Sequence, residues 1–182
     1  MYDIMRAEAE WQRAGAYSVR IQGMNRQHHI SLREEFDEHD CDGTRYIVIL
    51  DDGYPIATCR FYEGRIAGGD CGCEGQAETS CGCEGQAETS CGCNAPSVDS
   101  CSGELVVTLG RVVVLPQYRG QGLGKLAVCE AEKWIAELGY REIHIDSRLE
   151  ATGFYEKLGY VHDADTVIKS GNFDCTPMHK KL

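Results

Sequence analysis

Residues 117–125 of the sequence, Gln-Tyr-Arg-Gly-Gln-Gly-Leu-Gly-Lys, have the composition of a site for a phosphorylated ligand. Glycines let the backbone approach a ligand closely, and the first amides of a helix have no partner within that helix. The positive end of a helix dipole, with Arg119 and Lys125 beside it, favours a phosphate or pyrophosphate. We therefore predict an anion site at this turn.

Two better-known phosphate motifs do not fit the same residues. A dinucleotide fingerprint requires Gly-x-Gly-x-x-Gly, whereas this run is Gly-x-Gly-x-Gly, and Asp146 comes slightly late for the acidic residue that binds the ribose. A Walker loop requires Gly-Lys-Ser/Thr, whereas Gly124-Lys125 is followed by Leu126. Neither a dinucleotide nor a nucleoside triphosphate is therefore indicated.

A strand-loop-helix-strand unit would hold this turn in place. Residues 105–115 are rich in β-branched and apolar side chains, which predicts a buried strand ended by Pro116. A helix is predicted over 119–138, closed by Gly139, and a further strand over 142–146. The glycine turn would then lie between a buried strand and the start of a helix.

The other predicted elements complete a mixed α/β fold. Ser31, with Glu34 three residues later, forms a capping-box pattern that predicts the start of a helix. Further strands are predicted over 2–6, 45–50, 55–62, 160–168 and 172–180, and further helices over 7–24, 31–38 and 150–158. We predict fold class α/β (mixed α+β), with a central, mainly antiparallel sheet flanked by helices in one domain, 1–182.

Residues 64–103 differ from the rest of the chain, and we interpret them as an insertion into that domain. They contain seven of the eleven cysteines, and the sequence CGCEGQAETS of residues 71–80 is repeated identically at 81–90. Large apolar side chains are nearly missing, so the segment cannot bury a core of its own. Two or three short repeats are also too few for a self-supporting solenoid.

Three interpretations of the insertion remain open. The first is a flexible acidic loop of duplicated sequence. The second is a soft-metal site for Zn or Cu, because thiolates one residue apart can converge on one ion, although Cys-x-Cys departs from the spacing of ordinary zinc modules. The third is disulfides, which an intracellular compartment disfavours. Elsewhere, Cys41, Cys59, Cys129 and Cys175 are interpreted as small buried side chains.

The charge of the chain argues against a nucleic-acid partner. The net charge is −11, and no basic surface is indicated that could neutralise phosphates. Seven acidic residues lie between Asp70 and Glu104, which leaves the rest of the chain at −4. No apolar run of 18 residues and no basic, apolar leader are present, so we expect a cytoplasmic protein without a membrane partner.

Two segments together resemble the GNAT family of N-acetyltransferases. The sequence RVVVLPQYRGQGLG of residues 111–124 resembles the family's coenzyme A-binding motif, Gln/Arg-x-x-Gly-x-Gly/Ala, with the match on Gln117, Gly120 and Gly122. The sequence ATGFYEKLGY of residues 151–160 resembles the family segment Ala-x-x-Phe-Tyr-x-x-x-Gly-Phe. Both motifs together are specific to the family.

The resemblance extends over the chain except residues 64–103. Arg20 and residues 34–40 resemble the early, acceptor-side helices of the ElaA-like branch. The family splays the strand before the glycine turn from the next strand, which leaves room for a thioester between them. The resemblance implies that acetyl-coenzyme A binds at Val113, Val114, Leu115, Gln117, Arg119, Gly120, Gln121, Gly122, Leu123, Gly124 and Lys125.

The resemblance also implies a catalytic acid but no base. Tyr155 matches the position whose hydroxyl protonates the departing thiolate, and the alternative is a packed aromatic beside Phe154. Many relatives carry a Glu where this chain has Gly110, so the base is a water or another residue. Arg148 stands where relatives often place Asn or Gln, and either reaches coenzyme A or is surface charge. The candidate bases are His144, Asp146, Glu104, Glu34, Glu35, Asp37 and Glu38.

The activity implied is direct transfer of an acetyl group from acetyl-coenzyme A to a primary amine of a small molecule. Catalysis would consist mainly of positioning and proton management. One alternative is a protein or peptide N-acetyltransferase. Another is a metal- or redox-binding module in which the Cys repeats carry the function. A homodimer is one expectation for the assembly, and the acceptor stays open.

Overall fold

The computed structural model describes residues 2–65, 105–163, 166–170 and 172–182. Within these ranges, eight strands form one sheet. They are β1 (Asp3–Arg6), β2 (Arg45–Asp51), β3 (Tyr54–Arg65), β4 (Leu105–Val114), β5 (Glu142–Arg148), β6 (Val161–His162), β7 (Ile168–Ser170) and β8 (Phe173–Lys181). The α-helices are α1 (Glu10–Arg20), α2 (Arg26–His28), α3 (Leu32–Glu35), α4 (Leu123–Glu137) and α5 (Thr152–Glu156).

The sheet confirms the predicted fold class, with mostly antiparallel pairing. The strand order is β1-β2-β3-β4-β5-β8-β6, and β7 pairs with β8. The exception is the parallel pair β4 and β5, whose register in the described residues is limited to Val107 with Ile143 and Thr108 with His144. Beyond that point the two strands separate, as the family resemblance implies, and the gap between them opens into a pocket.

The helices cover the two faces of the sheet. Alternate residues of β2 point to opposite faces. Ile47 and Ile49 pack in the main core, to which α4 contributes Ala127, Val128 and Ile135. Tyr46, Val48 and Leu50 instead pack with Ala7 and Ala16, so α1 lies against the other face. Val19 near the end of α1 packs on Val113 and Leu115, so the end of α1 lies at the C-terminal end of β4, where the chain leads into α4.

The first helix differs from the prediction over 7–24. It begins at Glu10, after Ala9 in extended conformation, and runs as an α-helix only to Arg20. Ile21–Asn25 then form a π-helical turn that continues into α2. Turns of this kind inside helices are often found at functional sites. The π-helical turn lies against β4, where Gly23 approaches Val113, and its Met24 lines the pocket between β4 and β5.

A buried ion-pair network joins α1 to the segment that follows α3. The Arg20 side chain is fully buried and donates from Nε to Glu35 Oε1 at 2.7 Å and from Nη2 to Asp40 Oδ2 at 3.0 Å. Arg60 of β3 contacts Asp40 as well, and Tyr46 donates its hydroxyl to Asp40 at 2.7 Å. Partners with opposite charge are what allow such groups to stay buried.

Several predicted boundaries change in the structure. Helix α4 begins at Leu123 instead of residue 119, because Gly120 and Gly122 have φ values of 77° and 80°, outside helical geometry. The helix predicted over 150–158 is reduced to α5 with a preceding 3₁₀ turn. The strand predicted over 160–168 is split, and only Val161–His162 and Ile168–Ser170 are strands.

The cysteine predictions are partly corrected. Cys59 and Cys175 are buried and Cys129 is half-buried, but Cys41 is exposed on the loop before β2. The predictions for the Cys repeats, including a Zn or Cu site, fall outside the residues that the structure describes. In the described ranges no helix is both long and apolar enough to cross a membrane.

Candidate functional site

The glycine turn and the start of α4 line a pocket of about 410 Å³. Residues predicted for cofactor binding form most of its wall. They are Val114, Arg119, Gly120, Gly122, Leu123, Gly124 and Lys125. The opposite wall comes from Phe154, Lys157 and Leu158, so α5 and the residues after it complete the pocket. We call this the turn pocket.

The backbone of the turn pocket is arranged to receive an anion. In the part of the chain that the structure describes, no group accepts a hydrogen bond from the amides of residues 120–125. Both Gly120 and Gly122 have positive φ, and a Cβ on either would meet nothing within 4 Å. The space over these amides is therefore open, and Lys125 and Lys157 add positive charge at its edge. A pyrophosphate fits this set of donors.

The other residues predicted to bind the cofactor do not line the turn pocket. Some make hydrogen bonds within the protein, one is exposed to solvent, and one lies in a neighbouring pocket. Leu115 donates its amide to the carbonyl oxygen of Ile56 on β3 at 2.9 Å, so that amide is committed to the sheet. Gln121 accepts a hydrogen bond from the Tyr2 hydroxyl at 2.6 Å. Gln117 is exposed, and no described pocket includes it. Val113 lies in the neighbouring pocket between β4 and β5.

Arg119 connects the turn to the helix on the other side of β4. Its Nε donates to the carbonyl oxygen of Val114 at 3.1 Å, and its Nη2 donates to Gln27 Oε1 of α2 at 2.6 Å. A single side chain therefore links the predicted pyrophosphate site to α2.

The second pocket has a volume of about 250 Å³ and lies where β4 and β5 separate. Leu109 to Val113 line it from β4, and Ile145, Asp146 and Arg148 line it from β5. The π-helical turn contributes Met24, α3 contributes Glu34 and Glu35, and β8 contributes Phe173 and Cys175. We call this the cleft pocket.

Tyr155 lines the cleft pocket, while the preceding residue, Phe154, lines the turn pocket. Helix α5 therefore touches both pockets through consecutive residues. The Tyr155 ring packs edge-on against Phe154 and Tyr160, with centroids 4.9 and 5.6 Å apart. Burial raises the pKa of the Tyr155 phenol well above its ordinary value of 10.0, and nearby Cys59 and Cys175 add to the shift. The phenol therefore stays protonated and can donate a proton.

Most of the candidate bases are engaged elsewhere. Glu35 is paired with Arg20, and Asp37 accepts hydrogen bonds from Arg60 at 2.7 Å and Arg111 at 2.9 Å. Glu34 caps α3 by accepting from the Ser31 amide and hydroxyl, both at 2.8 Å. The Ser31 hydrogen bonds lower the pKa of Glu34, and Arg60 and Arg111 outweigh the effect of burial to lower that of Asp37, so both carboxylates are weak proton acceptors. Glu35 is committed to its hydrogen bond with Arg20.

The other candidates lie outside the cleft pocket, with one exception. Glu38 is exposed and lies near His39, and His144 bonds Glu142 at 2.9 Å. Glu104 is outside the described residues. Asp146 remains, since it lines the cleft pocket and no residue in the described ranges donates a hydrogen bond to its carboxylate.

The surroundings of Asp146 raise the pKa of its carboxyl group. Partial removal from water raises the pKa of its carboxyl above the ordinary 3.8, the Asp163 carboxylate adds repulsion, and His144 opposes the shift. A carboxylate with a raised pKa and no hydrogen-bond donor is a better proton acceptor than one held by arginines. Among the candidate bases that the sequence left open, Asp146 therefore has the surroundings that suit a proton acceptor best.

Arg111 forms part of the β4 wall of the cleft pocket. It has a φ of 50° in the middle of β4, which is unusual for a residue with a side chain. Its Nε donates to the carbonyl oxygen of Glu35 at 3.1 Å, and its Nη2 donates to Asp37 at 2.9 Å. These contacts hold the strained backbone and fasten the end of α3 to β4. Gly110 precedes it, and a Cβ there would meet nothing within 4 Å.

Several lining residues were not singled out from the sequence. Lys157 in the turn pocket follows Tyr155 by two residues, and its charge within the second motif was an available signal. Met24, Ile30 and Phe173 in the cleft pocket carried no such signal, because apolar residues are far more often core than site. In the described ranges, no group of three or more His, Cys, Asp or Glu side chains is placed to hold a metal.

Comparison with protein families supports the interpretation of the two motifs. The model of the Acetyltransferase (GNAT) family matches residues 5–160. The chain is 25% identical over 145 residues to the uncharacterized protein YyaT of Bacillus subtilis, with 79% of this chain and 72% of that protein covered. Another Bacillus subtilis protein, provisionally assigned as an acetyltransferase, is 42% identical over 52 residues, which are 29% of this chain and 35% of that protein.

Solved structures show the same fold. A protein from Lactobacillus plantarum, provisionally assigned as an N-acetyltransferase, superimposes with a TM-score of 0.70 at 27% identity, covering 100% of this chain and 99% of that one. ElaA of Escherichia coli superimposes with a TM-score of 0.67 at 14% identity, covering 99% of both chains. At that identity, ElaA shows a shared fold alone.

Proposed function

The chain belongs to the GNAT family of acetyltransferases, and from this premise we propose that it transfers an acetyl group from acetyl-coenzyme A to a primary amine of a small molecule. The observation that carries the proposal is that Asp146 and Tyr155 line one pocket, in the gap between β4 and β5. A proton acceptor and a proton donor there are what direct attack of an amine on a thioester requires. The pocket volume of about 250 Å³ suits a small acceptor.

The turn pocket supports the choice of donor. Acetyl-coenzyme A would supply the activated acetyl thioester, and its pyrophosphate fits the open amides of residues 120–125. Lys125 and Lys157 would offset the phosphate charge at the pocket edge. The edge of β4 at Val112 to Val114 runs from the turn pocket toward the cleft pocket and would align the pantetheine arm with the gap.

Two protons must move during the transfer, and one residue is proposed for each. Asp146 would accept the proton that the amine loses as its nitrogen bonds to the carbonyl carbon. Tyr155 would donate a proton to the sulfur as the carbon–sulfur bond breaks, because its pKa is raised and its phenol is protonated at neutral pH. Holding the two reactants together in the gap would supply much of the remaining rate enhancement.

The proposal is tested first by titrating the protein with acetyl-coenzyme A in a calorimeter. We expect a low-micromolar Kd, equivalent to about −8 kcal/mol. Gly120→Glu should abolish this binding, because it places bulk and negative charge in the open space over the amides. Transfer is then measured as thiol release with a panel of primary amines.

A control is needed because glutamate at a positive φ also strains the backbone. Gly43→Glu adds the same side chain at a φ of 96°, where a Cβ likewise meets nothing within 4 Å, in the loop before β2. It should bind acetyl-coenzyme A as the native protein does. Failure of the native protein to bind acetyl-coenzyme A, or equal loss in both variants, would contradict the proposed donor site.

A further inference from the structure

Two charged groups of opposite sign remain available in the cleft pocket. Asp146 and Arg148 lie two residues apart on β5, and residues with that spacing point to the same face of a strand. Both line the cleft pocket. They form no ion pair with each other, since the ion-pair partner of Arg148 is Glu150. The pocket therefore presents a negative and a positive group separately.

Arg148 is held in a fixed orientation with one donor unused. Its guanidinium lies over the Phe173 ring, 4.0 Å from the ring centroid. Its Nε is buried, and no group in the described ranges accepts a hydrogen bond from it. Its Nη2 contacts Glu150, whose side chain is 70% exposed, and an ion pair that open to water is weak. Arg148 can therefore exchange Glu150 for a carboxylate that enters the pocket.

The other charges that reach the pocket are already compensated. Arg111 is occupied by the carbonyl oxygen of Glu35 and by Asp37, and Glu35 is paired with Arg20. Glu34 is bound by Ser31 at the start of α3. Glu150 also lines the pocket and is the present ion-pair partner of Arg148. Recognition of a charged acceptor within the cleft pocket is thus left to Asp146 and to Arg148 once it releases Glu150.

We propose that the acceptor of the cleft pocket is a free α-amino acid, which carries a carboxylate next to its amine. This inference rests on the proposed acetyltransferase function. The rise of a β-strand places the Cα atoms of residues two positions apart, such as Asp146 and Arg148, about 6.7 Å from each other. The amino group and carboxylate of one α-amino acid, each with a hydrogen bond to its partner, can span that separation.

In this arrangement the two ends of the acceptor have different roles. Arg148 binds the carboxylate through its planar guanidinium, which is suited to two parallel hydrogen bonds. The amino group then faces Asp146 and the gap between β4 and β5, where Tyr155 also lies. Apolar side chains of Met24, Ile30 and Phe173 surround the remaining space, which favours an apolar amino-acid side chain.

The experiment compares each acceptor with its own decarboxylated amine. The native protein, Arg148→Gln and Arg148→Lys are assayed with acetyl-coenzyme A and each of the twenty L-amino acids. Each amino acid that reacts is then paired with the amine that lacks its carboxylate. Arg141→Gln, an exposed arginine just before β5, is the matched control. Thermal stabilisation by the same compounds without acetyl-coenzyme A reports binding independently of turnover.

We expect the native protein to prefer an amino acid to its amine by roughly 10–100-fold in kcat/KM, the range for hydrogen bonds to a charged group. Arg148→Gln should bring the ratio near one by raising the KM of the amino acid, while the KM of acetyl-coenzyme A stays the same. Arg148→Lys should recover part of the preference, and Arg141→Gln should retain all of it.

The outcomes separate this inference from the proposed function. Transfer to simple amines with no preference for a carboxylate overturns the inference and leaves the acetyltransferase function standing. An equal loss with both acceptor types in Arg148→Gln also overturns it. Carboxylate-dependent stabilisation that requires Arg148, without any transfer, supports the inference and contradicts the proposed function. Absence of both binding and transfer for all twenty amino acids overturns the inference.

Discussion

Gly23 of the π-helical turn lies directly against Val113 of β4. A Cβ built on Gly23 would stand 2.4 Å from Val113 Cγ1, closer than side-chain atoms approach each other. Val113 lines the cleft pocket and belongs to the strand segment proposed to align the pantetheine arm. The glycine therefore sets how closely the π-helical turn approaches β4.

Gly23→Ala should destabilise the protein and weaken acetyl-coenzyme A binding together. The extra methyl must push aside either the helix or Val113, at a cost of about 1–3 kcal/mol in a packed interior. Denaturant unfolding and calorimetric titration measure the two effects. Gly15→Ala in α1 is the control, because its Cβ would meet Pro55 and Val48 at ordinary distances of 3.4 and 3.5 Å. We expect that variant to be as stable as the native protein or up to about 1 kcal/mol more stable.

Tyr155→Phe should lower kcat by about 10²–10⁴-fold while leaving the affinity for acetyl-coenzyme A unchanged. The change removes the proton donor but keeps the ring that packs on Phe154 and Tyr160. Thiol release and calorimetry measure the two quantities. Tyr54→Phe removes a hydroxyl from a side chain that is 73% exposed and should have no effect. A Tyr155→Phe variant with native kcat would exclude Tyr155 as the acid.

Asp146→Asn should lower kcat/KM by about 10²–10⁴-fold and change its pH dependence. In the native protein the activity should fall as the pH drops through the raised pKa of Asp146, because the protonated carboxyl cannot accept a proton. The variant should lack this acidic decline. The raised pKa of Tyr155 predicts no loss of activity near pH 10, where an ordinary phenol ionises. If kcat/KM of Asp146→Asn fell at acidic pH as it does in the native protein, Asp146 would not be the base.

Stability should decrease in acid because of Asp40. Burial alone would raise the pKa of Asp40, but hydrogen bonds from Arg20, Arg60 and Tyr46 outweigh it and hold that pKa well below the ordinary 3.8. A carboxyl whose pKa is lower in the folded state adds stability above its unfolded pKa and loses it as the pH falls. The free energy of unfolding should therefore decline below about pH 4.

Asp40→Asn should cost about 3–5 kcal/mol at neutral pH, because it leaves Arg20 and Arg60 buried without their shared partner. It should also weaken the acid dependence. Denaturant unfolding between pH 2 and pH 8 measures both effects. Asp42→Asn, on the same loop but exposed, should retain the native stability and acid dependence. If the free energy of unfolding fell equally in acid for the native protein and for Asp40→Asn, Asp40 would not be the cause of the acid destabilisation.

Local features of the chain were predictable from sequence. The capping box at Ser31 is confirmed, since Glu34 accepts from the Ser31 amide and donates its own amide to the Ser31 hydroxyl. The strand before the glycine turn is also confirmed. Such features depend on residues three or four positions apart, or on an apolar run, both of which are visible in one sequence.

Features that depend on distant residues could not be predicted in the same way. Burial of Arg20 requires Glu35 and Asp40, which no periodicity connects to it. The close approach of Gly23 in the π-helical turn to Val113 of β4 is likewise a contact that no local pattern indicates. Selection of Asp146 required knowing that arginines and Ser31 already hold the other carboxylates. The family motif was enough to propose where the acetyl donor binds, but a choice among the candidate bases required the three-dimensional contacts.

Strands β3 and β4 are neighbours in the sheet, which affects how many residues can be inserted between them in evolution. Gly64 lies beside Thr108, whereas Ile56 lies beside Leu115, so the two strands run in opposite directions. Any chain between residues 65 and 105 therefore leaves and re-enters the sheet at adjacent points. Doubling the length of such a connection costs only about 0.6 kcal/mol in closure entropy. Gain or loss of a ten-residue repeat at this position should therefore change the stability of the fold very little. Repeats can be duplicated here without loss of the folded domain.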